Sequence, residues 1–170
     1  MNTFTSNQKG FTLVELILYL ALSAIILTAS SLFIQLVLEA RIKNRAIREV
    51  DQQGQLALEV ISRAIANAET VTTPATGASA SSLTLTSLTP SISPTVINDV
   101  AGVLQIQEGA STAVPLTNSR VTVSGLTFTN LSRASTPGIV RVTFTISTTN
   151  PSGRGESSFT RSFTTSISLR

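Results

Sequence analysis

The chain contains no cysteine, no histidine and no tryptophan. Without cysteine there is no disulfide framework and no thiolate, and the redox compartment is left open. Without histidine the commonest general base and the commonest metal ligand are gone as well. Together the two absences point away from hydrolytic and metal-dependent chemistry, so the chain reads as a non-enzyme, with no cofactor and no metal. Charge is also scarce, at 12% of residues, with twelve Lys and Arg against nine Asp and Glu. Seven phenylalanines and one tyrosine are the only aromatics, and no basic stripe is interleaved with them, which gives no footprint for nucleic acid.

What the chain does have is a long apolar run near its start. Residues 11–38 carry a single charge, Glu15. As a helix they span roughly 42 Å, enough to cross a hydrocarbon core of about 30 Å. A cleavable secretory signal would be shorter, although Ala29-Ser30-Ser31 offers a token cleavage site, and a plain signal anchor also fits the length. An ionised carboxylate in lipid costs several kcal/mol unless paired, so Glu15 calls for a named partner or a position shallow enough to reach the headgroups.

No proline occurs between Phe11 and Thr73. Beyond Leu38 the pattern turns amphipathic, with Ile42, Ala46, Val50, Gly54, Ala57, Ile61, Ile65 and Ala68 at helical spacing. One helix from about 11 to 69 is therefore expected, its second half, 39–69, carrying a head. Gly54 on that stripe costs about 1 kcal/mol relative to alanine, which suggests close approach of another element. Arg41, Lys43, Arg45 and Arg48 lie just past the apolar run, beside Glu39, Glu49 and Asp51. They form either a solvated mixed-charge face or a basic cluster that touches anionic headgroups.

From residue 70 the composition shifts to Ser, Thr, Val, Ala, Gly and Pro. Residues 73–82 read as a flexible connection, and period-two runs follow at 82–88, 102–107, 120–131, 138–147 and 157–169. Turn signals separate them: PSISP, EGAS, ASTPG and NPSGRG. The apolar phase of the third run changes across Ser124-Gly125, which predicts a bulge. Arg161 interrupts the apolar face of the last run and is expected to snorkel to an edge. The fold class is α+β: a long helix whose C-terminal half packs on an antiparallel sheet, the simplest arrangement being a meander. Asn130-Leu131-Ser132 matches an N-glycosylation acceptor, and an exposed strand surface explains it equally well.

The stretch KGFTLVE at 9–15, running straight into the apolar segment, resembles the class III signal of type IV prepilins, a family that includes major and minor pilins and the pseudopilins of type II secretion. The expected architecture is similar to the pilin fold. The resemblance implies a leader at 1–10, a transmembrane and filament-core helix at 11–38, its amphipathic continuation at 39–69 and a Ser/Thr-rich β head at 70–170. It further implies cleavage between Gly10 and Phe11 by a prepilin peptidase that also N-methylates Phe11, with Lys9 holding the leader on the cytoplasmic side. Glu15 would then pair with the free amine of a neighbouring subunit's first residue during assembly. The implied partners are that peptidase, other pilin or pseudopilin subunits, an inner-membrane assembly platform and, before assembly, the lipid bilayer. The implied location is a single-pass inner-membrane protein with its head outside, later part of a pilus or pseudopilus.

Two features qualify this. The run lacks the helix-breaking proline usual in major pilins, and the chain lacks a C-terminal disulfide loop, while residues 48–69 are similar to the second helical half of minor pilins and J-type pseudopilins; both favour a minor subunit. Against the implied topology, one lysine before the run and four basic residues after it would by the positive-inside rule leave the head in the cytoplasm. The rival reading is a permanently anchored surface-binding protein with a β-rich head.

Overall fold

The computed structural model describes residues 10, 12–133, 138–149 and 158–170. Residues 1–9 of the expected leader 1–10 and the turns ASTPG (all but Gly138) and NPSGRG lie outside the described residues. The chain divides into two units, 1–41 and 42–170. A single helix, α1, runs Leu13–Ala66.

In the first unit α1 is apolar on all sides, and almost every side chain from Leu13 to Leu38 is exposed. None of the described residues of this unit covers it, so its surface suits lipid or the helices of other chains. An 18-residue window of this helix is long and apolar enough to cross a membrane. Two of its hydroxyls are turned back on their own backbone, Ser23 donating to the Leu20 carbonyl at 2.9 Å and Thr28 to that of Ala24 at 2.8 Å.

In the second unit the expected stripe is the buried face of α1: Ala46, Val50, Gly54, Ala57, Ile61 and Ile65 are buried, and Ala68 follows them into the core. Ile42 departs from that expectation, being 44% exposed. The helix ends at Ala66, three residues early, because Glu69 is already held by the sheet, its N–H donating to the Thr86 carbonyl at 2.8 Å.

The strands are antiparallel, as expected, but they form two sheets and not one meander. Sheet one contains β1 (Thr70–Thr73), β3 (Leu83–Thr86), β4 (Thr95–Val100), β5 (Val103–Glu108) and β6 (Val114–Pro115). Sheet two contains β2 (Ser79–Ala80), β7 (Val121–Asn130), β8 (Ile139–Thr148) and β9 (Thr160–Ser168), in the order β2-β7-β8-β9. The stretch expected to be a flexible connection supplies β2, whose Ser79 and Ala80 pair with Thr129 and Phe128. The strand β4 lacks a run of large apolar residues and shows no period-two signal. It is recruited by pairing along its whole length with β5, and the Ala101-Gly102 turn between them docks on β7, where Val123 N–H donates to the Gly102 carbonyl at 2.8 Å.

One core unites α1 with both sheets. Val140, Val142, Phe144 and Ile146 of β8 are fully buried, with Phe128, Leu83, Leu85, Ile97 and Leu104 around them. The bulge falls where expected: the β7–β8 register shifts between Ser124 and Thr127, with Gly125 at φ 63°. The outer face of sheet two is made of hydroxyls that bond across strands, such as Thr145 with Ser162 at 2.8 Å and Thr143 with Thr164 at 3.3 Å.

Two expectations about single residues gain detail. Arg161 lies on β9, the edge strand of sheet two, with its side chain 53% exposed, and its guanidinium donates there to the Asp51 carboxylate on α1 at 2.7 Å and lies 5.6 Å from the Phe163 ring centre. Asn130 is not on an exposed strand surface but 2% exposed, with its amide donating to the Pro74 carbonyl at 2.9 Å. An engaged, buried amide is no acceptor for a glycan.

Candidate processing and assembly site

The site begins where α1 begins. Thr12 is the cap residue: its hydroxyl accepts the Glu15 N–H at 3.3 Å, and its carbonyl accepts the Leu16 N–H at 3.2 Å. A helix start leaves N–H groups without intrahelical partners, and in lipid no water is present to satisfy them. Thr12 removes part of that cost at the point where the chain enters the apolar segment.

Glu15 is the third helical residue, three positions after the cap, which is where a carboxylate best complements the positive end of the helix dipole. Its Oε1 accepts a hydrogen bond from the Tyr19 hydroxyl at 3.3 Å, one turn along the same face. Glu15 is half-buried while its neighbours Val14 and Leu16 are exposed. The carboxylate thus stands on a preorganised first turn with a further oxygen lone pair available, an arrangement suited to a cation brought up by another molecule.

Of the expected processing residues, Gly10 is described and exposed, while Lys9 and Phe11 lie outside the described residues. Two participants were not anticipated from sequence. Thr12-Leu-Val-Glu15 carries the spacing of a capping box, a signal that was legible. Tyr19 follows from a pairing four residues apart on a helix. The small residues Ala21, Ser23, Ala24, Ala29, Ser30 and Ser31 suit close approach of a neighbouring helix by their size alone, and two of them, Ala24 and Ala29, form a shallow notch with Ile25, Thr28 and Leu32.

Residues 5–31 match the family model of the prokaryotic N-terminal methylation motif. The chain carries a type IV prepilin-like signal. The matched residues take in the end of the leader, the Gly10-Phe11 junction, Thr12, Glu15, Tyr19 and all of the notch but Leu32. No curated protein and no solved structure matches the chain. With its long N-terminal helix followed by antiparallel sheets, this prepilin-like chain has an α+β, pilin-like architecture. The motif implies processing by a prepilin peptidase and assembly with other pilins, and the apolar helix is consistent with membrane anchoring.

Proposed function

We propose that the protein is a minor structural subunit of a type IV pilus or a type II secretion pseudopilus. The observation that carries the reading is the coincidence of the methylation motif at 5–31 with a capped helix start that holds Glu15 on the first turn of an uncovered apolar helix.

In this reading the chain is made as a prepilin, inserted with Lys9 in the cytoplasm, cleaved after Gly10 and methylated on the new amine of Phe11. The mature chain does no chemistry itself. Its residues 11–38 leave lipid for the filament core, where the same segments of other subunits cover them. Glu15 acts there as a register device. Once Phe11 is freed, its amine is a cation at a helix start, and a neighbour's Glu15 satisfies it in a medium without water. A buried charge left alone is strongly destabilising, by about 3–5 kcal/mol, so a subunit docked out of register is rejected. The missing proline and missing disulfide loop support a minor subunit, and the exposed, hydroxyl-lined head belongs on the solvent side.

Mass spectrometry of the mature N-terminus tests the proposal. N-methyl-Phe11 as the first residue is expected. A chain that keeps residues 1–10 would overturn it in favour of a permanently anchored surface protein.

A further inference from the structure

We propose that the head carries a groove for the headgroup of an anionic phospholipid, bounded by Arg45 of α1 and by Arg120 just before β7. The inference rests on the membrane-anchored reading of residues 13–38.

The groove has a volume of about 390 Å³ and a mostly apolar lining, in which Ile42 and Ala46 contribute the helix side. Ile42 is the one residue of the amphipathic stripe that the head leaves substantially open. An apolar floor beneath a cationic rim is complementary to an amphiphile: the glycerol and upper chain lie over Ile42, and the phosphate lies between the two guanidiniums. A free phosphate ion would have no use for that floor.

The rim is built, not incidental. Asn118 clamps the segment before β7 to the helix, its side-chain amide donating to Glu49 Oε1 at 2.6 Å and its N–H to Gln53 Oε1 at 3.3 Å. Its own Oδ1 accepts the Arg120 N–H at 3.0 Å, and the Arg120 carbonyl accepts the Thr149 N–H at 2.7 Å, so the backbone of Arg120 is held from both sides. Glu49 also lines the groove, and its charge is met by Arg120 at 3.7 Å and by Asn118. Arg45 is exposed and enters no salt bridge among the described residues, so it supplies the uncompensated positive charge.

Arg45 follows the end of the apolar run by seven residues in the sequence, and an arginine side chain keeps its charged head among headgroups while its stem lies on apolar surface. Guanidinium is the side chain best matched to phosphate. The occupant also accounts for the basic residues that sit on the wrong side for the positive-inside rule: they have a partner in the leaflet they face.

The test uses the full chain reconstituted in vesicles of phosphatidylcholine mixed with phosphatidylglycerol, extracted gently and weighed by native mass spectrometry. Retention of phosphatidylglycerol over phosphatidylcholine is expected. Arg45→Gln, which breaks no salt bridge among the described residues, is expected to lower that retention about fivefold, the effect of one basic residue near an anionic surface. Arg63→Gln, at the other end of the amphipathic half, should leave it unchanged. Equal retention of the two lipids, or full retention by Arg45→Gln, overturns the groove. So does displacement of all selectivity by inorganic phosphate, which identifies a simple anion site. Resistance to alkaline extraction is followed in parallel. A chain that stays in the membrane without lipid preference removes the groove alone, whereas a chain that fails to insert removes the anchored reading with it.

Discussion

Phe163 of β9 packs its ring into the space beside α1 that a Cβ on Gly54 would occupy. The same ring stacks on Phe144 of β8, with centres 5.5 Å apart and planes 22° from parallel, and Arg161 reaches over it to Asp51. The missing side chain at Gly54 therefore sets how closely sheet two approaches the helix, and the helix tolerates the glycine because a phenylalanine fills the gap.

Gly54→Ala is expected to destabilise the head. At an unobstructed helical position the change would stabilise by about 1 kcal/mol. Here three ring atoms of Phe163 must move, and overpacking costs about 1–3 kcal/mol. Thermal unfolding should show a lower midpoint, by about 2–4 °C for each net kcal/mol lost in a chain of this size. Adding Phe163→Leu should recover part of the loss. A raised midpoint for Gly54→Ala would mean that the ring does not hold this position.

Asn130→Ala should cost about 1–3 kcal/mol, because it leaves buried groups without partners. Asn130 donates to the Pro74 carbonyl and accepts the Ser132 N–H at 3.1 Å, while its backbone pairs with Gly77 and Ala78. One residue thus ties the 74–80 segment to the end of β7. Urea unfolding measures the loss, and a midpoint equal to that of the parent chain would show the tie to be dispensable.

Ala101→Asn should stabilise the head by about 1 kcal/mol. Ala101 sits at φ 54° and Gly102 at φ 79°, in a two-residue hairpin turn where both central residues need positive φ. Asn-Gly is the favoured pair for that geometry, and alanine pays for its Cβ. The check is again the unfolding midpoint, which should rise.

Glu15→Gln should leave processing intact and reduce filament incorporation about a hundredfold or more, as expected when one partner of a buried pair loses its charge. Thr12→Ala should reduce it far less, since loss of a cap costs about 1 kcal/mol and keeps the charge. Quantifying each variant in sheared filaments separates the two roles. Equal defects would mean that Glu15 acts through the helix start and not through a neighbour's amine.

Much of this was legible in the sequence because it depends on local pattern. Helical spacing from Ala46 to Ile65 marks the buried face of α1, alternation marks β8, and the phase change at Ser124-Gly125 marks the bulge. Each is a property of the chain's own period. The strands β1, β2, β4 and β6 were not legible, because short or polar segments become strands only when a partner edge supplies their hydrogen bonds. Thr145 and Ser162 look alike in sequence to the residues of any wet strand face, and only the register sets them against each other.

The same division holds for the site. The sequence by itself determined the signal at 9–15, the uninterrupted apolar helix, the place of Glu15 within it and the absence of cysteine and histidine chemistry, since all of these follow from residue type and spacing along one chain. The tertiary structure decided the pairing of Asp51 with Arg161, the bond from Asn130 to Pro74 and the pairing of Glu49 with Arg120, because these contacts join residues far apart in sequence. Side chains on separate elements carry no shared period, and only the folding of both sheets onto the helix brings them within reach.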